Sequence, residues 1–249
     1  MNSSLTRFRA EVALDLMTLV QLHDRELTPD MLRALKKVGF PHCFALKLTG
    51  NAAAEAMLVL ESAIADLDND QAQFDELAAD YASIYLTHAY VAAPCESVWL
   101  DDDGLVMQEP MFEVRKFYAQ FGFRAPDWRL RADDHLVHQI QFLAELLDPR
   151  EPSGLVESAR FLDEHTLRWV PDFARRVAAR AQTPLYAGVA LLTVAMLDEL
   201  RDVLAEVNGE PRPTAEEIEQ RAQLAARQRQ EEVAVPMPDR YVPGTAPSW

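Results

Sequence analysis

Apolar residues recur at helical spacing through most of the chain. In LTRFRAEVALDLMTLVQLH, the residues Leu5, Phe8, Val12, Leu16, Leu19 and Leu22 fall near one face, as on a helix that turns one side to a core. TPDMLRALKKVG predicts a second helix, with Thr28 as N-cap, Pro29 in its first position and Gly39 just past its end. NAAAEAMLVLESAIADL is rich in good helix formers, and DNDQAQFDELAADYASIYLTHAY opens on capping residues before another periodic run. Further helices are predicted over about 109–121, 134–147 and 153–181, with Pro171 kinking or splitting the last. TPLYAGVALLTVAMLDELRDVLAEV predicts the most buried helix. Thr214 and Glu217 form a capping-box pattern for a polar outer helix, TAEEIEQRAQLAARQRQ. No segment alternates as a strand would. The expectation is an all-α fold: one domain of nine or ten helices over residues 1–232, then a Pro-rich tail at 233–249.

Composition narrows the functional classes. At 249 residues, 49% of them hydrophobic, the chain is long enough and apolar enough to bury a sizeable core. Its 24 Lys and Arg against 40 Asp and Glu give a formal charge of −16, which argues against nucleic acid as a partner and favours long-range attraction of a basic one. Two cysteines, Cys43 and Cys95, show no metal or redox spacing and fit free thiols in a reducing compartment. Arg7, Arg9, Glu11 and Asp15 interrupt the N-terminal segment where a secretory signal needs an unbroken apolar run. The apolar stretch at 186–197 is too short to span a bilayer. A soluble, cytoplasmic protein without membrane insertion is expected.

RADDHLVHQIQFLAELL, residues 131–147, places Asp133, Asp134, His135 and His138 at the mouth of an apolar run. His135 and His138 are three apart and can share a helix face, so a metal-dependent helical hydrolase centred on them is one reading. The HExxH spacing is absent, and the one His–Asp pair, His23–Asp24, has no histidine before it. The competing reading is structural: Asp133 or Asp134 caps the helix, and Ile140, Phe142, Leu143, Leu146 and Leu147 supply its apolar stripe. Cys95 lacks a nucleophile's flanking signature, Ser97 lies outside a GxSxG elbow, and no phosphate-binding GxxxxGK[ST] loop occurs. No cofactor is expected. The middle loop PCESVWLDDDGLVMQEP instead combines Trp99 with the acid run Asp101–Asp103, which suits a peptide that is both apolar and basic.

From Asp80 to Leu147 the chain resembles the TorD/DmsD family of redox-enzyme maturation chaperones. The likeness rests on an aromatic helix with Asp80, Tyr81 and Tyr85, then a loop with Pro94, Ser97 and Trp99. A helix ending in Tyr118 and Gly122 follows, and then the pair Asp134–His135 opening an apolar helix. The sequence departs from the family's pattern at Arg131 and Ala132, where many members have Glu–Pro. The resemblance implies an all-helical chaperone, monomeric or a domain-swapped dimer, with a hinge-like segment near 123–135. It implies as partners the apo-form of a molybdenum-cofactor oxidoreductase subunit and its twin-arginine signal peptide. It also implies that Asp134 and His135 bind peptide or organise the hinge, with Tyr81, Tyr85, Pro94, Ser97 and Trp99 contributing to a groove. The tail residues Arg240, Tyr241 and Trp249 suggest a further expectation, that the tail docks in the chain's own groove or in a neighbour's and mimics a client.

Overall fold

The first helix obeys its pattern. In the computed structural model, which describes residues 3–68, 70–126 and 129–233, α1 spans Ser3–Asp24 and buries Val12, Leu16, Leu19 and Leu22. Next come α2 (Pro29–Val38), α3 (Asn51–Ala65) and α4 (Gln71–Tyr81), the last running into a π-helical turn, Ala82–Leu86. The caps of α2 form as predicted. Thr28 accepts from the Met31 N–H at 3.3 Å, and Gly39 closes the helix at φ +78°, a conformation that costs glycine nothing.

After α5 (Ser97–Leu100) and α6 (Glu109–Gln120), α7 spans Leu136–Leu146 and pairs with α1. The long apolar run beyond it is split into α8 (Gly154–Phe161) and α9 (Leu167–Arg180). The break falls at a π-helical turn, Leu162–Thr166, and not at Pro171, which lies within α9. The wider turn inserts a residue and lets the helix restart at Leu167, so the proline enters its second turn. α10 (Pro184–Asn208) packs against both α3 and α9, burying Leu185, Val189, Leu192, Met196, Leu200 and Leu204. A Cβ on Gly188 would fall 2.7 Å from Leu60 Cγ, so this residue sets how closely α10 approaches α3.

Arg9 is 2% exposed, an unusual place for a lone arginine. Its guanidinium reaches the carbonyls of Leu147 (3.2 Å), Leu146 (3.1 Å) and Glu151 (2.7 Å), with a further bond to that of Asp148. It therefore closes the C-terminus of α7, where helix carbonyls lack intrahelical donors.

The chain divides into two compact units, Met1–Arg212 and Pro213–Trp249. Within the second, α11 (Ala215–Val233) starts on the predicted capping box. Thr214 Oγ1 accepts from Glu217 N–H at 3.2 Å, and the Glu217 carboxylate accepts from Thr214 N–H at 2.7 Å. The tail, including Arg240, Tyr241 and Trp249, lies outside the described residues beyond 233. The architecture is all-α. The short α5 is the helix that its loop-like sequence concealed, and the described residues contain a single isolated β-bridge, Cys95 with His135. Among the described residues no helix is long and apolar enough to cross a membrane.

Candidate functional site

Residues 131–135 fasten four helices to one another. Arg131 forms an ion pair with Asp24 at the end of α1, at 2.5 Å. Asp133 accepts from Arg115 Nε of α6 at 2.5 Å, and its carbonyl accepts from the Tyr118 hydroxyl at 3.1 Å. The Asp134 carboxylate accepts from the backbone N–H of Ser97 at 2.7 Å and from the Ser97 hydroxyl, so it caps α5 from across the fold. His135 Nδ1 accepts from Val137 N–H at 3.1 Å and is the N-cap of α7. The expectation that Asp133 or Asp134 caps α7 is therefore corrected. Both carboxylates are spent on other elements, and the imidazole next in the chain supplies the cap.

Two backbone bonds join this segment to the loop before α5. Leu136 N–H donates to the Pro94 carbonyl at 2.8 Å, and Glu96 N–H to that of Asp134 at 3.2 Å. Burial raises the Asp134 carboxyl to about 6, against the bonds from Ser97 that favour its charged form. Burial holds His135 well below its ordinary value, which suits a ring that must keep a lone pair on Nδ1.

Beneath the loop runs a second polar chain. Glu96, 1% exposed, accepts from His165 Nδ1 at 2.9 Å and from Gln139 Nε2 at 2.5 Å. Gln139 Oε1 in turn accepts from Trp169 Nε1 at 3.1 Å. Sequence reading did not single out Glu96 as a site residue. An acid directly before Ser97 and amid apolar residues was the available signal.

Tyr81 and Tyr85 stack at 4.6 Å between ring centroids, beside Tyr186 and Phe173. His23 lies between the Tyr85 hydroxyl (2.6 Å from Nδ1) and Thr193 Oγ1 (2.8 Å from Nε2). Thr193 gives its only proton to the Val189 carbonyl, so it accepts from His23 Nε2–H, and His23 Nδ1 accepts from Tyr85. A neutral ring satisfies that arrangement, and burial depresses His23 to about 3.

Of the residues expected to bind a client, Tyr81, Tyr85, Pro94, Ser97, Asp134 and His135 are all buried. Trp99 alone among them is half-buried. Its indole N–H donates inward to the Ala93 carbonyl at 2.8 Å, while the Arg176 guanidinium covers one ring face at 4.7 Å from the centroid. The acids Asp102 and Asp103, just beyond α5, are exposed. The segment leading into Trp99 is strained: His88 and Val91 both adopt φ +52°, at a cost of roughly 1–2 kcal/mol per residue for side chains of this kind. It is held by Arg176 on the Val91 carbonyl (2.9 Å), Arg180 on the Tyr90 carbonyl (2.6 Å) and the Tyr90 hydroxyl on Asp80 (2.8 Å). Asp80 also accepts from Thr183 N–H at 2.9 Å and so caps α10.

The hydrolase reading draws no support from this geometry. His135 commits Nδ1 to its cap, and His138 is 2% exposed with Nδ1 on Gln141 at 3.1 Å. Among the described residues no group of three or more His, Cys, Asp or Glu is arranged to hold a metal ion.

The family model described as nitrate reductase delta subunit matches residues 49–175, just over half of the chain. The chain belongs to this family, the TorD/DmsD group of redox-enzyme maturation chaperones. It is 28% identical over 137 residues to the chaperone protein TorD of Vibrio parahaemolyticus, covering 51% of this chain and 63% of that protein. Against TorD of Vibrio vulnificus the identity is 30% over 167 residues, or 61% and 77% of the two chains. Against TorD of Actinobacillus succinogenes it is 28% over 189 residues, or 75% and 95%.

Proposed function

We propose that the chain is a cytoplasmic chaperone dedicated to one molybdenum-cofactor oxidoreductase. It binds the apo-form of the catalytic subunit, its twin-arginine signal peptide, or both, and holds the client until cofactor insertion precedes export. It performs no chemistry of its own and works as a monomer or a domain-swapped dimer. The observation that carries this reading is the fastening at 131–135: Asp134 caps α5, and α5 presents Trp99 and leads into the exposed acids. Asp134, His135, Ser97 and Pro94 organise the surface from within, and Trp99 offers an aromatic face to the peptide beside charges that attract its arginines. The hinge-like segment near 123–135, of which residues 127 and 128 lie outside the described residues, belongs to this reading, and its first residue, Phe123, packs on Tyr118 and Phe142 at 4.7 and 5.4 Å between ring centroids.

Calorimetry of the full chain with a synthetic twin-arginine signal peptide at 50 and 300 mM salt tests the proposal. Binding that weakens by roughly tenfold at the higher salt is expected where exposed acids steer a basic segment, because screening shortens their reach to a few ångströms. Binding that ignores salt removes the electrostatic part. No binding to peptide or apoprotein removes the proposal.

A further inference from the structure

The surface that Trp99 offers is not vacant in the free chain. Arg176 and Arg180, four residues apart on α9, lie along one helix face and both are exposed. The first sits over the Trp99 ring at 4.7 Å from the centroid and donates to the Val91 carbonyl at 2.9 Å. The second donates to the Tyr90 carbonyl at 2.6 Å. These contacts suit a guanidinium, which is planar, weakly hydrated and able to stack on an indole while its edge donates to an oxygen. A lysine ammonium, compact and strongly hydrated, satisfies only part of this arrangement. The indole N–H is fixed inward on Ala93, so the ring turns its face, and not its polar edge, toward the arginine.

We propose that the Trp99 ring and the carbonyls of Tyr90 and Val91 form a guanidinium-receiving subsite, filled in the free chain by Arg176 and Arg180 and surrendered to arginines of the client peptide. The inference rests on the peptide-binding reading above and specifies where the client's arginines go. Both resident side chains are solvent-exposed, so they regain water when displaced. The apolar stretch of such a peptide has a rim to meet on the same segment, where Leu86 and Val91 are 67% and 59% exposed. Asp101, Asp102 and Asp103 follow α5 directly and carry the charge that draws arginine in. Self-occupancy lowers apparent affinity in proportion to the fraction of molecules whose subsite is free.

Two measurements on the full chain separate this inference from the reading beneath it. In the first, the variant Arg176→Gln is titrated with a twin-arginine peptide and with the same peptide carrying two lysines. The arginine peptide should bind the variant about threefold to fivefold tighter than it binds the unmodified protein, with a smaller gain for lysine. Trp99→Leu should weaken arginine-peptide binding and abolish the effect of Arg176→Gln in the double variant. In the second, the Trp99 indole N–H resonance is followed while N-acetyl-arginine amide or N-acetyl-lysine amide is added to Arg176→Gln. A saturable shift with the arginine compound alone is expected. A shift without peptide binding upholds the subsite and removes the client reading. Peptide binding that Arg176→Gln leaves unchanged or weakens, with no shift, overturns the subsite and leaves the reading standing. Absence of both removes both.

Discussion

Asp134 and His23 are buried groups whose effects on stability run in opposite directions with pH. The Asp134 carboxyl is raised from 3.8 to about 6 by burial, so the folded state holds its proton more tightly than the unfolded chain does. Its contribution is fully present below pH 3.8 and is lost as pH rises through about 6. The His23 ring is depressed from 6.5 to about 3, so its contribution is present above pH 6.5 and is lost as pH falls toward 3. Asp134→Asn removes the first titration while leaving an oxygen to accept from Ser97. The stability of the unmodified protein relative to this variant should therefore fall between pH 4.5 and 7, by on the order of 2 kcal/mol. Urea unfolding of both proteins at the two pH values measures it, and a difference independent of pH would refute the assignment.

At the scale of elements, most helices were legible because residues within or just beside them specify them, and α5 was the exception. Thr28, Pro29 and Gly39 bracket α2, and Thr214 with Glu217 opens α11. The fastening at 131–135 was legible only as an unusual cluster of acids and imidazoles. Asp134 caps a helix that begins 37 residues earlier, and no local pattern encodes such a partner. The same holds for the π-helical turn 162–166, which directs Asp163 and His165 inward toward Arg201 and Glu96. Arg201 meets Asp163 in a buried two-pronged pair, with both bonds at 2.8 Å. Arg201→Ala strands a buried carboxylate and should cost about 3–5 kcal/mol, whereas Arg201→Met combined with Asp163→Leu should recover most of that loss. Thermal unfolding of the single and double variants decides it. Equal losses in both would mean that packing, and not charge, holds the π-helical turn to α10.

At the scale of the whole molecule, the buried apolar side chains among the described residues run from Val12 to Leu204 and so lie within the first compact unit. A chain ending at Arg212 should fold by itself and unfold within a few degrees of the full chain, followed by circular dichroism on heating. A large drop would place essential contacts beyond residue 212. The acidic balance of the whole chain is a sum over residues and does not say which of them meet. It could not reveal that Arg176 rests on the aromatic ring that sequence reading had assigned to a client. That arrangement joins residues 77 positions apart on two elements, and only folding brings them together.

Arg9 has a consequence for how the protein is made. The carbonyls it holds lie 137–142 residues further along the chain, and α7, the helix against which α1 packs, lies in the same distant stretch. During synthesis α1 leaves the ribosome well before either partner exists, with Val12, Leu16 and Leu19 uncovered and its guanidinium in water. This helix can be locked in full only after Glu151 has emerged. A member of a chaperone family thus passes through the same exposed, unfinished state that its family attends in other proteins.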